Sequence, residues 1–484
     1  MDGSPISSVV AAPNPWAWRL APARLRLLLE AGSAALGGSI GWSALLGAIA
    51  LRILLSPLQH TWDSQTWWNA LAQMGADPNP LTAIAHPYQS MRAMSDLAAG
   101  LGRELYYEYW AYPPGMLMLW WPLARLWTLA AGPMIPHFAI PDTFTAAPFP
   151  PLLSFLMKVP AIAADVITAG LLARLAGRTT ARWYLFNPYV LLVCLWTFDP
   201  VMMPLLLGGL LAAERGRWTL SGMLLGLGGA VKFVPLLFLA PVCLWAMRRS
   251  RTRWRSAVFA AGGGAVAFAV VCLPWWNGVQ FALAFQAGRA GGSMSWQSIW
   301  NALGWWQPLA DFRTVHLSLS AGIGDLTLSG ALLVTLWLTW LRQLDLWDMS
   351  LALMLAYLAG SKLVNEVYPL PALALAAICL ARGASPARQR LVLALWVTPL
   401  VFALINVPFW GFVVSPAEAL GLVSANGAWT YYQGYAQTYQ YLSPALAGIG
   451  VTFQGACVYG IVHLVRGRRT EAGTRLGPVL AHAV

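Results

Sequence analysis

Apolar runs of about twenty residues recur from one end of the chain to the other, the length a helix needs to cross the hydrocarbon core of a bilayer. Short arginine clusters separate them. Hydrophobic residues make up 58% of the 484 residues and charged residues only 10%. That pattern calls for a polytopic, all-α transmembrane helix bundle. The 27 tryptophans fit many membrane boundaries, where their rings rest at the headgroup level, and singly they say little about function. The net charge of +12 comes almost wholly from arginine. Clusters placed between apolar runs are a topology signal rather than a nucleic-acid surface, and no nucleic-acid partner is expected. Cys194, Cys243, Cys272, Cys379 and Cys457 lie inside apolar stretches without metal-ligand spacing. They read as packing residues.

Placing every arginine cluster on the cytoplasmic side fixes the parity of the spans. The clusters are Arg19, Arg24 and Arg26; Arg174, Arg178 and Arg182; Arg215 and Arg217; Arg248, Arg249, Arg251, Arg253 and Arg255; Arg382, Arg388 and Arg390; and Arg466, Arg468 and Arg469. Spans then fall near 33–56, 150–173, 183–198, 200–213, 256–275, 326–341, 347–361, 367–381, 391–411 and 441–465. The first is expected to be an uncleaved helix with a cytoplasmic N-terminus. The run "LSGMLLGLGGAVKFVPLLFLAPVCLWAM" (220–247) has basic clusters on both flanks, so it enters and leaves on one side, as two helices turning near Lys232 and Pro235. The run "PPGMLMLWWPLARLWTLAA" (113–131) would invert the later clusters if it crossed. It is therefore read as a helix in the outer interface or partly inserted. The count comes to about twelve spans. They form one transmembrane domain, 1–465, with outer segments at 57–149, 276–325 and 412–440 and a short basic cytoplasmic tail at 466–484.

The three lysines of the chain, Lys158, Lys232 and Lys362, are all embedded in apolar sequence. An ion there costs about 2.5 to 3.5 kcal/mol on insertion scales, which makes each one a functional candidate with a partner to be found. Lys158 has Asp165 seven residues on, on the same helical face, and reads as half of a structural pair. Lys232 has no local acid of that kind, and Glu366 is one turn beyond Lys362. The topology sets both lysines near the outer surface, with Asp63 in "LQHTWDSQTWWNAL", Asp199 in "WTFDPVMM", and Asn365 and Glu366 in "SKLVNEVYP". Each alone is what a helix end meeting water shows; the set predicts a shared, lipid-facing cavity. His60 precedes Asp63 by three residues and is placed to hydrogen-bond it or a substrate. The first outer loop adds "GRELYYEYWAYPPGM", whose Tyr106, Tyr107, Tyr109, Tyr112 and Glu108 suit stacking on a sugar and hydrogen-bonding its hydroxyls. An interfacial aromatic belt has the same composition.

Four motifs in order are an acid just after the first span ("TWDSQTWW"), "YPPG" in the first outer loop, "NPYVLLVCLWTFDP", and "GMLLGLGGAVKFVPLLFLAP" with its lysine. In these the chain, from about residue 33 to 380, resembles the GT-C fold membrane glycosyltransferases that use polyprenyl-phosphate sugars. The nearest branch is the bacterial one of polyprenol-phosphate-mannose-dependent α-mannosyltransferases. The resemblance implies that Asp63 is the catalytic base, taking the proton of an acceptor hydroxyl as it attacks the anomeric carbon in an inverting displacement. It also implies fixed cations for the departing polyprenyl phosphate. Lys232 is the first choice for that task and Lys362 the second, with Arg103 and Arg289 assisting from the outer loops. His60, Tyr107, Glu108, Tyr112, Asp199, Asn365, Glu366 and Tyr368 are the expected substrate contacts. Val367 stands where many relatives carry a histidine, which transfers phosphate binding in that loop to Lys362 and Tyr368. Asp63 and Asp199 are the acids able to hold a divalent metal. A monophosphate donor has less need of one, and no cofactor is expected.

The expected activity is transfer of a sugar, mannose first, from a polyprenyl-phosphate donor to a lipid or glycan acceptor at the outer face of the plasma membrane. The alternative is a transporter or flippase for an amphiphilic or lipid-linked substrate. Transporters place coupling acids near the midplane and often show repeated halves. Here the acids gather at one surface beside a long loop, and no internal repeat is visible.

Overall fold

Among the described residues the apolar runs named above are largely helical. The computed structural model describes the backbone of residues 40–58, 61–100, 110–134, 150–288, 292–296, 310–406, 417–418 and 420–475. Side chains are described for all of these except 61–65, 94–100, 288, 292–293, 310–322, 425–426, 428–440 and 467–475. The first half holds α1 (Trp42–Leu55), α2 (Thr61–Ala76), α3 (Pro80–Gly100), α4 (Gly115–Ala131), α5 (Pro151–Ala176), α6 (Arg178–Phe186), α7 (Pro188–Leu192), α8 (Met203–Glu214) and α9 (Trp218–Val231). The second half holds α10 (Leu239–Arg249), α11 (Arg253–Cys272), α12 (Trp276–Gly288), α13 (Ala310–Leu341), α14 (Leu346–Gly360), α15 (Leu370–Arg382), α16 (Pro386–Asn406) and α17 (Ala425–Arg475). Short 3-10 turns at Asp199–Met202 and Val234–Phe238 join some of these. Two-residue strands β1 (Gly292–Ser293) and β2 (Leu363–Val364) pair in parallel, Gly292 opposite Leu363.

Among the described residues five helices are long and apolar enough to cross a membrane, and six if the bent pair around Asp199 counts as one span. The figure of about twelve is not reached by this measure. The shortfall comes from α1, α9, α10, α14 and α15, which are only 14, 14, 11, 15 and 13 residues long, and from the bent pair, which counts as one span where two were expected. A 14-residue helix is about 21 Å long, short of a hydrocarbon core of ~30 Å. Conversely, α13 and α17 run to 32 and 51 residues, so parts of the expected outer segments 276–325 and 412–440 are continuous with helices. The helix that ends at Arg475 also takes in the start of the expected tail.

The reversal expected within 220–247 is present. A Cβ added to Gly209 of α8 would meet Leu225 and Ser221 of α9, and one at Gly228 would meet Leu205, so these two helices run antiparallel. Gly264 of α11 abuts Leu239 of α10, and the Cys243 thiol donates to the Ala257 carbonyl at 3.5 Å, so this pair is antiparallel too. Because α9 packs parallel on α11, Gly222 by Ala260 and Gly226 by Gly264, Arg215, Arg217, Arg248 and Arg249 collect at one end of the helices. Lys232 and Asp199 lie at the other.

Close backbone contact holds α9 against α11. Gly222 and Gly226 of α9 have the four-residue spacing of small-residue helix interfaces. A Cβ on Gly222 would stand 1.9 Å from the Ala260 carbonyl oxygen, and one on Gly226 2.2 Å from that of Gly264. Gly226→Val should cost about 3 kcal/mol or more, the upper range for forced overpacking, read as a lowered unfolding temperature in detergent. Gly262 of α11 has nothing within 4 Å of its added Cβ, so Gly262→Ala is the control that should not lower stability and should raise it by at most about 1 kcal/mol.

One expected ion pair does not form. Asp165 accepts from Arg52 Nε at 2.9 Å and from the Tyr184 hydroxyl at 2.8 Å, all three side chains being fully buried. Lys158 donates instead to the carbonyl of Ser56 at 2.7 Å and to that of Leu58. Seven residues are about 10.5 Å along a helix axis, and the end of α1 offers each ion a nearer partner. Asp165→Ala should destabilise the fold by about 3–5 kcal/mol, because Arg52 is left buried and unpaired. A thermal shift no larger than that of Gly262→Ala would show that Arg52 finds another partner.

Candidate functional site

Lys232 sits where α9 stops. Its backbone is extended, φ −152° and ψ 138°, after a helix that ends at Val231, and Pro235 prevents the helix from resuming unchanged. The side chain is buried and its ammonium lies 2.5 Å from Asp199 Oδ1, with Asp199 only 2% exposed. Asp199 occupies an equivalent corner. The chain bends by 102° between Pro188–Trp196 and Asp199–Glu214, with Pro200 at the start of the second arm. Asp199 and Lys232, each shortly before a proline, thus stand at two breaks between helical arms that meet at one place.

Three rings enclose the ammonium. Its Nζ is 4.6 Å from the Tyr368 ring centre, 5.6 Å from that of Tyr112 and 5.8 Å from that of Phe198. Cation–π contact of this kind favours a desolvated charge. Tyr112 reaches the site through "YPPG": a Cβ on Gly115 would be 2.5 Å from the Ala230 carbonyl oxygen, so glycine is what lets the start of α4 abut the backbone just before Lys232. Behind these rings Trp67, Trp110 and Trp120 pack on Phe198 at 6.3, 5.5 and 5.8 Å. The tryptophans are buried, and the Trp120 indole donates to the Met157 carbonyl at 2.9 Å. They form the wall of the site rather than an open sugar platform.

Of the residues expected to act, Lys232, Asp199, Tyr112 and Tyr368 come together. Residue 63 lies in α2, one helical turn before Trp67, which touches Phe198; its own side chain is outside the described residues. The backbone therefore brings α2 to the same end of the helices as Lys232. His60, Arg103, Tyr107, Glu108 and Arg289 also lie outside the described residues. Glu366 is buried, and its carbonyl accepts from the Tyr189 hydroxyl at 2.8 Å. Asn365 is half-buried, its carbonyl accepting from the Tyr368 amide at 3.0 Å.

Lys362 joins other partners than the neighbouring Glu366. It donates to the Ala287 carbonyl at 2.6 Å and lies 3.0 Å from Asp325 Oδ1, on α13. With the β1–β2 pairing and the bond from the Met294 amide to the Val364 carbonyl, this ties the 361–368 loop to the outer segment. Asp325, Phe198 and Tyr189 were not singled out by the sequence reading. An acid in the apolar "GIGDLTLSG" meets the criterion that flagged the lysines, but the expected segment boundary at 325 hid it. No protein-family model matches this chain, and no curated protein matches it.

Proposed function

We propose that this chain is an integral-membrane glycosyltransferase that moves a sugar, mannose first, from a polyprenyl-phosphate donor to a lipid or glycan hydroxyl at the exoplasmic face. The observation that supports this most is the buried Lys232 ammonium, set among groups from three other parts of the chain at one end of the helices. In the proposed step the acceptor oxygen bonds to the anomeric carbon as the bond from that carbon to the phosphate oxygen breaks. The electron pair leaves with the phosphate, whose growing negative charge Lys232 stabilises. The acceptor proton passes to the carboxylate of Asp63.

The competing reading of a transporter draws on the same broken helices, since transporters bind substrate where helices are interrupted near the midplane. Against it, the corner at Lys232 reverses the chain: α9 packs parallel on α11, Gly222 by Ala260 and Gly226 by Gly264, while α10 packs antiparallel on the same helix. That corner is the end of a hairpin, not a gap within a crossing. Purified protein incubated with a panel of polyprenyl-phosphate sugars should release polyprenyl phosphate and glycosylate an added lipid acceptor. Flux of a labelled lipid-linked sugar across proteoliposomes, without bond cleavage, is the outcome that replaces the enzyme with a transporter.

A further inference from the structure

We infer that Asp199 is an exchangeable counter-ion for Lys232: a lipid phosphate enters by taking the ammonium over from the carboxylate, and Asp199 reclaims it when the product leaves. This rests on the proposed site, and adds a positioning role for a residue first read as a substrate contact. At 2.5 Å, with both side chains buried, Asp199 and Lys232 form a unit of no net charge. Between turnovers the carboxylate is the anion the ammonium serves, and it holds Lys232 at its resting place. Tyr368, Tyr112 and Phe198 fix where the ammonium lies, and their faces favour a cation whichever anion it serves.

The exchange has a direction. A phosphodiester donor carries one negative charge, whereas the departing polyprenyl phosphate monoester approaches two. Lys232 is therefore drawn furthest from Asp199 late in the step, where the help is needed. After transfer, the fixed carboxylate repels the dianion and competes for its cation, which drives product off. Asp199 takes no proton and touches no reacting atom in this scheme; it sets the resting place of Lys232 and the lifetime of the product complex.

Farnesyl phosphate is a soluble probe of the same headgroup. Its affinity for the full chain in detergent should rise at least about tenfold in Asp199→Asn, since a competing charge is removed, and return towards the native value in Asp199→Glu. In turnover assays the inhibition constant for polyprenyl phosphate should fall by a similar factor. The double variant Lys232→Gln with Asp199→Asn leaves no buried ion unpaired and covers the case in which Asp199→Asn does not fold. It should bind farnesyl phosphate more tightly than Lys232→Gln alone. Equal or weaker binding in Asp199→Asn than in the native chain, or equal binding in the double and single variants, overturns the exchange. A native chain that transfers no sugar yet shows these affinity changes sinks the transferase reading and leaves the exchange standing. Intact transfer with flat affinities sinks the exchange alone.

Discussion

Asp63→Asn should lower turnover about a thousandfold, within the range general-base catalysis contributes, while farnesyl phosphate and the intact donor bind as before. The amide keeps the shape of the carboxylate and loses its capacity to accept the acceptor's proton. In the proposed reaction the donor phosphate is held at Lys232, whose ammonium lies over the Phe198 ring that Trp67 of α2 touches. Base and phosphate cation thus sit on different elements, α2 and the end of α9. That separation is why the effect should fall on the rate and not on donor affinity. Release of polyprenyl phosphate, measured with saturating donor and acceptor, is the direct readout. Near-native turnover removes Asp63 as the base, and parallel losses of rate and donor binding would make it a structural residue of the loop.

Much of the fold was legible because hydropathy reports where helix meets lipid. The reversal within 220–247 followed from charge alone, since arginines on both flanks forbid a single crossing, and the structure agrees: α9 packs parallel on α11 and α10 antiparallel to it. What hydropathy does not report is how far a helix continues beyond lipid. The polar stretch before residue 323 gives no apolar signal, yet α13 begins at Ala310. The same blindness works in reverse for α9 and α14, which are apolar over most of their length and still stop at Val231 and Gly360.

The site was legible as a list of misplaced ions, not as a set of pairs. Lys232 and Asp199 are 33 residues apart, and local spacing offered neither of them to the other. Local spacing also proposed one wrong pair, Lys158 with Asp165, since a shared helical face says nothing about the neighbouring helix; Arg52 of α1 was the nearer partner. Phe198 and the tryptophans behind it were hidden for a different reason. With 27 tryptophans in the chain, an aromatic next to an apolar run carries almost no information until packing selects Trp67, Trp110 and Trp120 from the rest.

Lys232→Met should lower kcat/KM about 100- to 1,000-fold, the loss seen when one donor to a developing anion is removed. Methionine conserves the unbranched stem, so the rings of Tyr112, Phe198 and Tyr368 keep an apolar neighbour to pack on. The charge is the main change. A cation that merely holds the phosphate would matter equally for every donor of the same shape, whereas one that stabilises departure matters most for a poor leaving group. Replacing the prenyl chain with an electron-withdrawing aryl group makes the phosphate easier to expel, so the variant should lose at least tenfold less on the aryl donor than on the prenyl donor. Because Lys232→Met also leaves Asp199 buried beside apolar rings, the comparison is made between two donors on one folded variant, and a general loss of stability cancels. Equal losses on both donors would confine Lys232 to binding and move the leaving-group role elsewhere in the site.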